Sequence, residues 1–374
     1  MIIPFKKNIS RNLNNFLGWK TKRKIVVIES DDWGSVRMPS KSVYVNLLKK
    51  GIRVDLCHYN RFDSLESEND LTQLFDVLVK YKDKNGNHPI FTANYIIANP
   101  DFEKIRNSFF REYYFELFTE TLKKYPNHQN SFTIINQGIN QKVFFPQFHG
   151  REHLNVNRWM NSIKNGTNET RMAFDNNLYG ISTKITSENR KSYMAALEFE
   201  DISELTWQKQ MLSNGLNLFD EIFGYKSMSF IAPNYTWSSE LEMFLADVGI
   251  KYFQGSGNQI NPTLKGNLIM KHSLGSQNNY GQYYLTRNCI FEPTEDFHKD
   301  WLKSVINEIA SAFFWGKPAI IESHRVNYIG AIDSIARSTS LLLLDQLLAE
   351  LINRWPSIEF MNSVELGRLI SNEK

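Results

Sequence analysis

The sequence predicts an α/β protein built on a mainly parallel sheet or barrel, and three observations carry that prediction. Short apolar runs rich in β-branched and aromatic residues alternate with longer segments of helical period along the chain. No repeat, low-complexity tract or Pro/Gly/Ser-rich linker interrupts the alternation, so one elaborated domain over residues 24–374 is expected rather than two tethered ones. The 374 residues, 42% hydrophobic and 22% charged, have the length and composition of a globular protein with a sizeable core.

The first strand is expected at 24–30, where the run KIVVIES is apolar and β-branched. Further strands are expected at 89–94, 143–148, 227–232, 251–254, 319–323 and 358–361. Helical period places helices between them at 41–50, 67–82, 109–125, 203–223, 239–248, 299–315 and 339–354. Ser239 and Glu242 have capping-box spacing with Gly249 as the stop, and Pro356 follows the helix that ends near Trp355. Asn362 and Glu365 have the spacing to cap a final helix. The stretches near 160–200 and 255–298 are polar and rich in Asn and Gly, and are read as insertions on a barrel rim. In α/β barrels, the loops at the C-terminal ends of the strands carry the chemistry.

Charge and cysteine usage exclude several classes. Residues 1–24 hold seven basic side chains (Lys6, Lys7, Arg11, Lys20, Lys22, Arg23, Lys24) and no acid, which leaves a mildly acidic body and no nucleic-acid-binding signature. A basic N-terminal arm is expected over 1–23, solvated or resting peripherally on anionic lipid through residues such as Phe5, Phe16, Leu17 and Trp19. It lacks the apolar core of a secretory signal, so a cytoplasmic protein is expected, working at most at the inner membrane face. Apolar runs as short as 341–344 are far from the ~20 residues that span a bilayer. Cys57 and Cys289 make neither a disulfide framework nor a CxxC zinc site.

Four constellations can carry chemistry. Asp31 and Asp32, in the run ESDDWG, stand where the first strand stops. Two carboxylates facing a barrel mouth repel unless a cation separates their roles, one as ligand and one as free base; ordinary turn chemistry also accounts for such a pair. His149 and His153, in HGREH, follow the strand at 143–148 and share a face if the turn between them is helical. Neutral imidazoles suit zinc, and a catalytic site keeps a position open for water. His324 ends a late strand beside Arg325, with Glu322 two residues back on the same face to orient or charge it. Finally Pro233 stops a strand and leaves Asn234, Tyr235 and Trp237 in an aromatic turn, where rings stack on sugars or a backbone N–H meets an oxyanion.

The order Asp-Asp, HxxxH, Pro-aromatic loop and strand-terminal His resembles the NodB-type polysaccharide deacetylases, carbohydrate esterase family 4, from about Lys24 to Phe360. The wording SDDWG is also similar to the YdjC-like deacetylases. The resemblance implies a distorted (β/α)7 barrel with long loop insertions. It implies Asp31 as general base, Asp32, His149 and His153 as ligands of one divalent metal ion, and His324 as general acid. Zinc is the first choice of metal, with Co, Ni or Mn compatible with an Asp and two His. The sequence departs from the family in HGREH, which has Gly and Arg where HSxxH is usual. It departs again in Ile231-Ala232-Pro233-Asn234, which lacks the arginine of RxPY and displaces Tyr235 by one. Arg325 or Arg287 would have to replace that arginine. Asp300-Trp301 matches the family's fourth motif or simply begins a helix.

The function expected is metal-dependent removal of an N- or O-acetyl group from a sugar of a surface polysaccharide or its precursor. The alternative is a non-catalytic carbohydrate-binding protein on the same barrel. Trp33, Tyr235, Trp237 and Arg325 are the expected substrate contacts; Trp33 and Trp237, like the further groove aromatics Trp159 and Tyr328, suit a core equally well.

Overall fold

A strand that is followed by a helix returns beside its predecessor in parallel, and this chain builds its sheet that way. The computed structural model describes residues 15–166 and 168–373. We number the strands β1 (Lys24–Trp33), β2 (Phe91–Ile96), β3 (Phe144–Gly150), β4 (Ser229–Phe230), β5 (Tyr252–Gly255), β6 (Tyr283–Thr286), β7 (Cys289–Ile290), β8 (Ala319–His324) and β9 (Ile358–Phe360). They lie in the order β6-β5-β4-β3-β2-β1-β8-β7, with β9 paired to the start of β1. All of these pairings are parallel. The sheet curls into an open, distorted (β/α) barrel whose edges are β6 and β7. The seven expected strands all form, and β6 and β7 are additional.

Alternation along each strand sorts the side chains. Val26 and Ile28 of β1 face the helical layer and join the main core with Phe91, Phe144, Phe148 and Ile321. Ile25 and Val27 face inward with Leu285, Ile320, Val364 and Ile370. Each fully buried side chain of this kind contributes about 1.5–3 kcal/mol. Towards the C-terminal ends the inward positions change character. Val27 gives way to Glu29 and Asp31, and Ile320 to Glu322 and His324, so an apolar interior supports a polar mouth.

Four expectations are corrected. The helix expected over 109–125 is a short strand Phe115–Leu117 and a helix Phe118–Lys124, because Phe109 and Phe110 take positive φ and break the run. The stretch 160–200 contains helices of its own (Val156–Lys164 and Asn168–Asp175) before an irregular segment. The stretch 255–298 is not all rim loop. A hairpin, Asn258–Thr263 with Gly266–Lys271, is followed by β6 and β7, which are barrel strands. Helix Ser334–Arg354 starts earlier than expected, because the Asp333 carboxylate accepts from the N–H groups of Ile335 and Ala336. Asn362 and Glu365 form the expected capping box.

Of the basic arm, residues 1–14 lie outside the described residues. Residues 15–23 dock on the body at the N-terminal end of the barrel. The Trp19 N–H donates to Leu274 O (2.7 Å), the Thr21 N–H to Gly316 O (2.8 Å), and Lys317 Nζ to the carbonyls of Leu17 and Trp19 (both 2.6 Å).

Candidate metal centre and active-site mouth

The site is built where two strands each carry one extra residue. Between β1 and β2 the register slips between Ser30 and Trp33, and Asp32 takes φ +74°. Without that bulge Asp32 would follow Ser30 towards the helical layer; the kink swings it into the mouth beside Asp31. A non-glycine residue in this region costs on the order of 1–3 kcal/mol, which surrounding contacts must offset. Between β2 and β3 the register slips again, leaving His149 as the extra residue before Gly150 at φ +126°. His153 arrives from the loop beyond. The helical turn expected between the two histidines is absent: His149 sits on a strand end and His153 in a loop.

Asp32, His149 and His153 come together all the same. The Asp32 Oδ1 atom lies 3.5 Å from His149 Nε2 and 3.3 Å from His153 Nε2, and all three residues are buried. His149 Nδ1 is 2.8 Å from Ile231 O, so it carries the proton and leaves the Nε2 lone pair facing Asp32. Burial, reinforced by Arg37, pushes His153 down to about 3, so its ring is neutral. Asp32 Oδ1 is buried and accepts no hydrogen bond from any protein group. A buried carboxylate oxygen without a hydrogen-bond partner, facing the Nε2 atoms of two histidines, is the environment a divalent cation satisfies. The donor set therefore fits the one metal ion that the sequence implied.

The second half of the site surrounds Asp31. Asp31 and His324 are register partners across β1 and β8, and His324 Nε2 stands 3.7 Å from Asp31 Oδ2. Arg287 grips Asp31 with both terminal nitrogens (2.7 and 2.8 Å) and reaches Glu29 through Nε (2.7 Å). Asn94 Nδ2 adds a bond to Asp31 Oδ1 (2.7 Å). Burial would raise the Asp31 carboxyl, but the Arg287 guanidinium reverses this and holds it below the usual carboxylate range. Of the two arginines named as replacements for the motif arginine, Arg287 is the one that pairs with Asp31.

Arg325 does not. It is fully buried and spent on Asp63 (3.0 and 3.1 Å) and Glu66 (2.8 Å), so it is not a substrate contact. The expected Glu322–His324 pairing is also corrected. Glu322 shares the face but accepts from the Tyr235 hydroxyl (2.8 Å), while His324 Nδ1 pairs with Glu292 Oε1 at 2.6 Å. Glu292 follows β7, whose Ile290 is in register with Glu322, so two residues further along it meets His324. Burial would depress His324; the Glu292 carboxylate outweighs it and lifts the imidazole to about 10. Asn327 holds the other oxygen of Glu292 (2.7 Å).

Two expected groove aromatics belong to the core. Trp33 is 1% exposed, packs edge-on against Phe144 and donates to Ser30 Oγ (3.0 Å). Trp237 is 3% exposed, lies flat on Phe253 and donates to Glu242 (3.3 Å). Trp159 and Tyr328 are buried as well. Tyr235 does line the mouth, together with Asn234, both at positive φ. The Tyr235 N–H is committed to Ala232 O (2.9 Å). Asp300 caps the helix that begins at Trp301, which settles that pair as a helix start.

The mouth above these residues encloses about 740 Å³. Its walls come from residues 55–62, from 180–184 with Ser192 and Met194, and from 294–298. Sequence reasoning missed Arg37, Asn94 and Glu292, and offered Arg287 only as one of two replacements for the motif arginine. Arg287 and Glu292 had a weak signal: each stands two residues beyond an inward or edge position of a very short strand, in a region read as loop.

No family model matches the chain, and no curated protein matches it. Solved structures do show likeness at low identity. A Mycobacterium smegmatis protein assigned as a polysaccharide deacetylase is 10% identical, with a TM-score of 0.42, covering 96% of this chain and 93% of its own. An allantoinase is 9% identical, with a TM-score of 0.46, covering 95% and 92%. A Bacillus anthracis pseudoenzyme of the CE4 family is 9% identical, with a TM-score of 0.38, covering 92% and 66%.

Proposed function

We propose that the protein is a metal-dependent deacetylase acting on an acetylated sugar of a polysaccharide or its precursor. The observation that carries this reading is the unpartnered, buried Asp32 Oδ1 between His149 Nε2 and His153 Nε2, with Asp31 and His324 beside it. Asp32, His149 and His153 hold the ion, zinc first and Co, Ni or Mn as alternatives. When bound, such an ion polarises a carbonyl and brings the pKa of a water towards ~7.

The chain's own groups divide the remaining work. Asp31 is kept ionised by Arg287 and accepts the proton of the attacking water. His324 is kept protonated by Glu292 and donates to the leaving amine or alcohol. Asn234, which stands in register with the motif tyrosine and lines the mouth, offers its backbone N–H to the oxyanion, since the Tyr235 N–H is committed elsewhere. The guanidinium of Arg287 beside Asp31 supports the enzyme over a non-catalytic binder, because it supplies the charge that the missing motif arginine would have brought. We further propose a peripheral lipid contact through the docked end of the basic arm, where Phe16, Leu17 and Phe314 are exposed. Among the described residues no helix is long and apolar enough to cross a membrane.

The test is metal content of the purified protein beside His149→Ala and Asp32→Ala, followed by acetate release from acetylated oligosaccharides. About one divalent ion per chain, lost in both variants, together with acetate release, is the expected result. No ion in the wild type after incubation with Zn, Co or Ni would overturn the reading in favour of the binding protein.

A further inference from the structure

Arg37 has no role in the mechanism above, yet it touches the metal site directly. The turn after β1 places it firmly: the Gly34 N–H donates to Glu66 (3.1 Å) and the Val36 N–H to Asn99 Oδ1 (2.8 Å). Arg37 is 7% exposed, and its Nη2 donates to Asp32 Oδ2 at 2.7 Å. Its Nη1 meets Met194 Sδ (3.1 Å), and the guanidinium lies 5.4 Å from the Tyr59 ring centre. Asp63 stands 3.7 Å from Nε, but that carboxylate is already held twice by Arg325. The charge of Arg37 is therefore balanced mainly by Asp32.

Two consequences follow for the ligand set. Oδ2 of Asp32 is occupied, so one oxygen, Oδ1, remains for a cation. The partner behind the carboxylate also carries a full positive charge. A ligating histidine commonly has a carboxylate or carbonyl behind it that raises its basicity, as Ile231 O stands behind His149; a ligating carboxylate takes a donor instead, and here that donor is a buried cation. A guanidinium lowers the basicity of the carboxylate it holds, and at 2.7 Å it offsets the one negative charge that Asp32 brings to the donor set.

We infer that Arg37 is a positioning residue that confines Asp32 to one-oxygen ligation and sets the site to hold its divalent cation loosely. The inference rests on the metal-site reading of Asp32, His149 and His153. It predicts that removing the charge tightens metal binding, whereas a residue that merely orients Asp32 predicts the opposite.

The experiment is competition of the purified protein for Zn against a fluorescent chelator, comparing wild type with Arg37→Gln, Arg37→Met and Arg37→Lys. Arg37→Gln keeps a donor for Oδ2, so the fold is preserved if the bulkier truncation fails. The neutral variants are expected to bind Zn at least ~10-fold more tightly, the scale on which partners of metal ligands act. Arg37→Lys, which keeps the charge, is expected to stay near the wild type. Equal or weaker binding by Arg37→Gln would overturn the inference while leaving the metal site standing. No Zn binding by the wild type would instead overturn the metal reading itself.

Discussion

At the scale of single residues, the site is a set of charges each held by a named partner. Asp31 should be separable from metal binding, because Arg287 and Asn94 keep its carboxylate in place independently of Asp32. Asp31→Asn is expected to retain the ion and lose about 10²–10⁴-fold in kcat, the usual worth of a general base. Full turnover with bound metal would remove Asp31 from that role. His324 gives a prediction in pH. Its folded value, about 10, lies above that of an ordinary imidazole, so the folded state binds the proton more tightly. Its contribution to stability is complete below pH ~6.5 and is lost as the pH rises towards the folded value. Glu292→Gln removes the partner responsible, so urea midpoints measured between pH 7 and 10 should fall less steeply in the variant. Identical slopes would mean that the Glu292–His324 pair does not govern the titration.

At the scale of elements, the sequence is legible where a period is long enough to read and obscure where strands shrink. The ten residues of β1 and the apolar run of β8 were readable, and with them Asp31, Asp32 and His324. The two residues of β7 and four of β6 are too short to show alternation, and Asn and Gly around them read as loop. Arg287 and Glu292 stand just beyond those strands, so Glu292 was hidden, and Arg287 could be named only as one of two replacements for the motif arginine, with no placement to choose it over Arg325. The proposed metal ligands converge through bulges at Asp32 and His149, which no periodicity reports. The aromatics failed for a different reason: Trp33 and Trp237 stand close to site residues in sequence, but both side chains are packed into the main core. Trp237→Ala should therefore cost about 3–5 kcal/mol of stability, as for a core tryptophan, and leave KM unchanged. A large rise in KM with an unchanged denaturation midpoint would return Trp237 to the substrate surface.

At the scale of the whole molecule, the two ends of the barrel have different characters. Asp31 and Asp32 close β1 at the mouth, whereas the docked segment 15–23 leads into the opposite end of the same strand. Ten residues at ~3.3 Å each separate the ends by roughly 30 Å. Phe16 packs edge-on to Trp315, next to Phe314, and Lys20 stands 5.8 Å from the Phe16 ring. Phe16, Leu17 and Phe314 are 55%, 62% and 82% exposed, and Lys20 and Lys22 are exposed beside them in the chain. Aromatic and basic groups together suit an anionic lipid surface. A protein resting there would turn its mouth away from the bilayer, towards a soluble or long acetylated chain rather than a sugar held close to the headgroups. Phe16→Ser, Leu17→Ser and Phe314→Ser combined should lower co-sedimentation with phosphatidylserine vesicles and leave acetate release from soluble oligosaccharides unchanged. Lys317 pins the carbonyls of Leu17 and Trp19 through its own side chain, so the segment should stay docked in that variant. Equal sedimentation of the variant and the wild type, or none by either, would remove the lipid contact, while the chemistry at the other end of the barrel would be untouched by that result.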